Sequence, residues 1–303
     1  KPAEVGTDVF HMLASPAAGS PWYRPTDFAV DMSLSREVTG THAWDMGARI
    51  IQGRRLQTDN SNAETSGTYN QYYYNNGWNS YTSSLSGHQS WMWKRHAGFD
   101  VVTYTAQGGT LASYSHQLGK IPEMMWVKRR DGTNPWSVYH KGLNGGSSPE
   151  GYGVQLNTSA AEAASSSRWG NTAPTSTHFF TGSNTGTNNA DSTYIAMLFA
   201  SVSGISKVGR YAGSSSNVTL DLGFSPRFMF IKRVSSGTDV WMVFDTVRGM
   251  GTGNVPHMHF DLTASSTTDR DWLDPVTDGV VINTGIGNEC NSSGNDYIYY
   301  AHA

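Results

Sequence analysis

The sequence is poor in cysteine, in charge and in long apolar runs. Cys290 is the one cysteine among 303 residues, which excludes an intrachain disulfide and a cysteine-based zinc site. Charged residues make up 15% and the formal net charge is −3. Without a basic stripe to neutralise phosphates, a nucleic-acid partner is not expected. No apolar run approaches the ~20 residues that span a bilayer as a helix, and no membrane partner is expected. No stretch carries a capped 3.6-residue apolar stripe. There is no Gly-x-Ser-x-Gly elbow, no His-Glu-x-x-His and no P-loop, so no enzyme activity, catalytic residue, metal or cofactor is expected. The chain opens on Lys1 without a signal peptide, as a processed chain or the ordered part of a longer one would.

What remains is aromatic and turn-forming. Aromatics reach 12% against 37% hydrophobic residues in all, and there are 33 glycines. Large rings can carry a core where aliphatic residues are few. Gly, Ser, Thr and Asn in quantity mark short strands joined by turns. The expectation is an all-β protein.

Self-comparison gives the organisation. Gly119-Lys120-Ile121-Pro122, followed by an apolar run to Lys128-Arg129, matches Gly223-Phe224-Ser225-Pro226 and the run to Lys232-Arg233, at an offset of 104 (223 − 119). Trp136 answers Trp241, Trp169 answers Trp272, and Tyr104 answers Tyr211. A diverged third copy lies upstream. Pro25–Asp31 reads as its Pro-led strand, Trp44 takes the place of Trp136, and Leu56 to Glu64 aligns without a gap on Val154 to Glu162. Ser90-Trp91-Met92-Trp93-Lys94 aligns on Ile195 to Phe199 at an offset of 105 (195 − 90). Three tandem antiparallel β-sandwich repeats, jelly-roll-like and joined by short links, are expected over residues 1–97, 98–203 and 204–303. The first carries a Tyr/Asn-rich insertion. The almost wholly apolar Tyr194 to Ala200 reads as a central strand covered on both faces. The Ala-rich Ser159 to Ser166 lacks large apolar anchors and reads as a turn.

The ordered motifs resemble a repeat of tail-fibre and other virion proteins of bacteriophages of marine and freshwater bacteria. Trp241-Met242-Val243-Phe244-Asp245-Thr246-Val247-Arg248-Gly249-Met250, the closing Trp91-Met92-Trp93-Lys94, and Leu156-Asn157 with Ala161-Glu162 carry the resemblance. The second copy departs from it at Tyr139-His140-Lys141. The resemblance implies a virion structural protein, a tail fibre or other surface appendage, located on the particle. Its implied partners are other virion proteins and further copies of itself, a trimer included. The alternatives are a host-receptor or glycan-binding module and, more weakly, a polysaccharide-degrading tailspike whose two carboxylates would face each other across a groove.

Five sets of residues are candidates for chemistry. Asp245 and Arg248 form the spacing of a structural ion pair bracing a turn, with Asp45 and Arg49 as counterparts. Tyr72, Tyr73, Tyr74 and Trp78 offer rings beside Asn75 and Asn76, fit for a glycan or a protein partner if exposed and for packing if turned inward. His257 and His259 share a strand face but no third metal ligand accompanies them. Asp269, Asp271, Asp274 and Asp278 lack the calcium-loop spacing and read as turn residues. Glu64 and Glu162 occupy equivalent repeat positions, which favours a structural role.

Overall fold

The computed structural model describes residues 5–14, 23–67, 70–79, 87–284 and 289–303. Lys1 and two pieces of the Tyr/Asn-rich insertion, 68–69 and 80–86, lie outside them. The all-β expectation holds, with 42% strand against 8% helix.

Three large antiparallel sheets dominate. The first runs, edge to edge, through Phe10–Ala14, His88–Trp93, Met32–Glu37, Asp45–Ala48, Arg54–Gln57 and Thr65–Ser66. The second runs through Phe99–Thr105, Thr193–Phe199, Met124–Arg129, Ser137–His140, Tyr152–Gln155 and Ala163–Ala164. The third runs through Ser206–Ala212, Asp296–His302, Phe228–Arg233, Met242–Asp245 and Met258–His259. In each, the last long strand of the segment returns to lie between its first strand and a meander. A jelly roll closes its strands by two Greek keys; here the meander strands pair in chain order. Ser159 to Ser166 is not simply a turn: Ala163–Ala164 adds an edge strand, and one helical turn follows at Ser166–Trp169.

Alternation along the strands explains the layering. Met124 and Trp126 point to one face of the second sheet, Met125 and Val127 to the other. The outer face is covered locally. Ala112–Ser115 paired with His178–Thr181 lies over it, closing a core of Tyr114, Met125, Val127, Trp169, Phe179 and Leu198. Tyr23–Pro25 with Gly77–Asn79 covers the first sheet, and Val218–Asp221, Gly279–Ile282 and Leu273–Val276 cover the third.

The inner faces have no such private cover. They meet one another in a single core holding Trp44, Trp91 and Trp93 from the first sheet, Trp126, Trp136 and Phe199 from the second, and Phe230, Trp241, Phe260 and Tyr300 from the third. Ring contacts cross every boundary: Trp93 to Phe99 at 6.3 Å, Trp126 to Phe230 at 5.5 Å and Trp44 to Phe260 at 4.9 Å. The units therefore pack against one another through a common core rather than each closing an inner core of its own. The small sheet of each unit covers only the outer face, so the rings of the inner faces are buried by the other units.

Two alignments shift by their strand partners. Met32, Met124 and Phe228 pair with Trp93, Phe199 and His302. Met32–Glu37, not Pro25–Asp31, thus occupies the place of Met124–Arg129, and Tyr23–Pro25 belongs to the outer layer. Trp93 also matches Phe199 rather than Leu198. A one-residue slip would turn Trp91 and Trp93 to the wrong face, and both lie in the shared core.

Candidate functional site

The most ordered polar feature is the set of seams between the sheets. Trp136 Nε1 donates to Gln57 O at 2.8 Å, Trp241 Nε1 to Gln155 O at 2.9 Å, and Trp44 Nε1 to His259 O at 2.7 Å. Each tryptophan reaches a different sheet, and the three bonds close a circle. The backbone N–H of each is capped in turn by Asn157, Asp261 or Asp59. A second circle runs parallel, from Glu64 N to Arg130 O, Glu162 N to Val234 O and Ser266 N to Val38 O. Glu64 also receives both forks of Arg130, at 2.8 and 3.1 Å, while the Glu162 carboxylate accepts from Asn144 N at 2.7 Å.

One buried cation stands at the same step of each central strand. Lys128 and Lys232 are fully buried and Arg36 nearly so. Lys128 donates to the carbonyls of Arg129 and Gly132, Lys232 to those of Ser159 and Asp239, and Arg36 to those of Leu262 and Ala264. Burial lowers both lysines to about 8. Carbonyl dipoles satisfy the ammonium protons where no carboxylate makes direct contact.

Asp245 and Arg248 do pair, at 2.6 Å, with side chains 0% and 6% exposed. The Asp245 carboxylate also accepts from Gln89 Nε2 at 2.8 Å, Trp91 Nε1 at 3.2 Å and Arg248 N at 2.9 Å. It therefore ties the third sheet to the first, which the sequence did not indicate. Asp45 and Arg49 are not its counterparts. Asp45 pairs with Arg55 at 3.2 Å, and Arg49 reaches Asp31 at 3.8 Å. Counted from the seam tryptophans, Asp245 falls at the position of His140 and Ala48, three residues past Asp45. His140 works differently: its Nδ1 accepts from Gly142 N, so its Nε2 donates to Tyr299 O at 3.2 Å.

The tyrosine-rich loop divides. Tyr72 and Trp78 are 1% and 0% exposed and stack at 5.9 Å over Phe28, Val30 and Met92. They offer no face to a ligand, because the outer sheet needs their area to close its core. Trp78→Ala is expected to cost about 3–5 kcal/mol, measured as a lowered midpoint in urea. Tyr73 and Tyr74 point outward, 69% and 42% exposed. Two residues invisible to a local reading hold the stretch at Tyr72 and Tyr74. Tyr23 packs edge-on to Tyr74 at 4.7 Å, and Arg49 donates to the carbonyls of Tyr72 and Tyr74.

His257 accepts from Trp272 Nε1 at 3.2 Å and touches His259 ring to ring at 5.2 Å. Asp271 and Asp274 share the amide of Asn283, while Asp269 lies beside His257 and Arg270. Among the described residues, no three His, Cys, Asp or Glu side chains gather as metal ligands.

Buried histidines are expected to make the protein acid-sensitive. Burial lowers His140, His259 and His96 to about 4 and His302 to about 3. A histidine held neutral contributes its full stability above the unfolded value near 6.5 and loses it as the pH falls from there towards 4. His140 alone is expected to cost on the order of 2 kcal/mol at pH 5. Asp45, pushed up to about 6 by burial, opposes with the reverse sign between about pH 6 and 4, and Asp59, Asp239, Asp261 and Glu162, raised by burial too, act the same way. Denaturant midpoints at pH 7.5 and pH 5 should differ, with pH 5 lower; equal midpoints would refute the balance.

Against this geometry, a family model described as a domain of unknown function (DUF7483) matches residues 51–303. The match takes in the later strands of the first sheet and all of the other two. No curated protein matches the chain.

Proposed function

Since the chain belongs to the DUF7483 family, a family of unknown function, we infer its role from its construction: it is a structural subunit of a bacteriophage surface appendage such as a tail fibre, not an enzyme. The observation that carries this reading is the closed circle of seams. The three sheets are read as three copies of one unit, each a large sheet under a small one, locked by the same tryptophan-to-carbonyl bond. Buried charge is spent on holding units together, as at Asp245 and Lys232, rather than gathered beside an open groove. The motif resemblance supplies the setting on the particle, with other virion proteins and further copies of the chain as partners.

Purified phage particles labelled with antibody against this chain and viewed by electron microscopy test the assignment. Label is expected on an appendage; unlabelled virions would sink it. Light scattering of the pure protein separates a 33.0 kDa monomer from a self-associated form.

A further inference from the structure

The outward half of the tyrosine-rich loop has features that packing does not require. Tyr73 and Tyr74 expose their rings side by side in sequence, and Tyr23 stands edge-on to Tyr74 at 4.7 Å. An exposed ring on a free loop would ordinarily be mobile, yet this loop is fixed at several points. Tyr72 and Trp78 anchor it in the core beneath. Arg49, which also faces Asp31, donates to the carbonyls of Tyr72 and Tyr74. The Tyr23 hydroxyl donates to the Asn76 carbonyl at 2.6 Å, with Asn76 Oδ1 at 2.7 Å. Gly77 is required here: a Cβ on it would lie 2.3 Å from Arg24 O and 2.8 Å from the Tyr23 ring. The Tyr23 and Tyr74 rings are therefore held in a preset arrangement, with the exposed Tyr73 ring adjoining in sequence, which lowers the ordering cost of binding.

The surroundings define the ligand. Exposed Asn75 and Asn76 follow the tyrosines and offer amides beside their hydroxyls, and the Arg49 guanidinium is occupied by carbonyls. Flat apolar faces bordered by neutral hydrogen-bonding groups complement a sugar ring, which has C–H bonds on its face and hydroxyls around its rim. Arg49, the cation in contact with this stretch, is already engaged by carbonyls and by Asp31, which disfavours an anionic ligand. We propose that Tyr23, Tyr73 and Tyr74 form a binding platform for a neutral oligosaccharide. The proposal replaces Tyr72 and Trp78 with Tyr23 as the third ring, and it does not depend on where the chain is assembled.

The test is a glycan array carrying neutral and acidic oligosaccharides, followed by titration of the best neutral binder by calorimetry. Binding to one or more neutral glycans is expected. Tyr73→Ala and Tyr74→Ala should each weaken it roughly tenfold, about the worth of one stacked ring, whereas Tyr74→Phe keeps most of the affinity. Both alanine variants should melt with the parent protein, since the Arg49 clamp acts on main-chain carbonyls. If Tyr74→Ala unfolds, Tyr73→Ser decides alone, because that ring is 69% exposed. The proposal is overturned if no neutral glycan binds, if only acidic glycans bind, or if binding survives loss of both rings.

Discussion

A polypeptide limited to residues 98–203 is expected not to fold as a monomer. The segment contains a complete six-stranded sheet and its small outer sheet, so on the sandwich reading it should stand alone. Its inner face decides otherwise. Val101, Trp126, Trp136, Val138 and Phe199 are all at most 1% exposed in the intact chain; rings of the third sheet meet Trp126 and Phe199, and the first sheet meets Phe99 through Trp93 and Trp136 through Gln57 O. Burying a large apolar side chain is worth about 1.5–3 kcal/mol, and native proteins retain only about 5–15 kcal/mol in all. Exposing five such side chains consumes that margin. The isolated segment should bind a hydrophobic dye and either aggregate or self-associate, sheet face to sheet face. The intact chain should melt in one transition. A monodisperse monomer of 98–203 with a native near-ultraviolet spectrum would refute the shared core.

Asp245→Ala is expected to be the most damaging single substitution at the seams. It leaves the Arg248 guanidinium buried without its carboxylate and removes the acceptor of Gln89 and Trp91 together. Breaking a buried pair from one side costs about 3–5 kcal/mol. In a chain of this size that lowers the thermal midpoint by on the order of 10 °C. Asp245→Ala combined with Arg248→Met should recover part of the loss, because the double change removes the stranded charge. Lys232→Met provides the comparison. Its ammonium is hydrogen-bonded by carbonyls, with Asp261 and Asp239 near but not in contact, so an apolar replacement breaks no direct ion pair and should cost less. A midpoint for Asp245→Ala within 2 °C of the parent would show that the seam carries no load.

The seams also explain how much of the fold could be read from the sequence. Trp44, Trp136 and Trp241 stand at matched positions, and Gln57 and Gln155 align without a gap; these are the atoms that meet across two of the seams. The third acceptor, at His259, falls in a stretch whose sequence has changed. Strand alternation and the ring content of the central strands were equally legible. What sequence could not supply was the destination of the inner faces. A sheet apolar on both sides looks the same whether its second cover is its own or a neighbour's. Register in the first segment was lost for a related reason. Pro25 mimics Pro122, but Pro25 ends an outer strand, and a proline is as much at home at a strand's edge as at its start. At the tyrosine loop, composition gave four rings without saying which turned inward; that depends on Arg49 and Tyr23, 25 and 51 positions from Tyr74 (74 − 49 and 74 − 23).

Each tryptophan lock has a side chain on one half only. The acceptors are the main-chain oxygens of Gln57, Gln155 and His259, and any residue other than one that distorts the strand supplies the same oxygen. Half of every lock is thus immune to point substitution. Two glutamines and a histidine already serve alike. The units are free to drift apart in sequence, acquiring loops as different as the tyrosine-rich one, while the tryptophan circle asks of each only one indole N–H group.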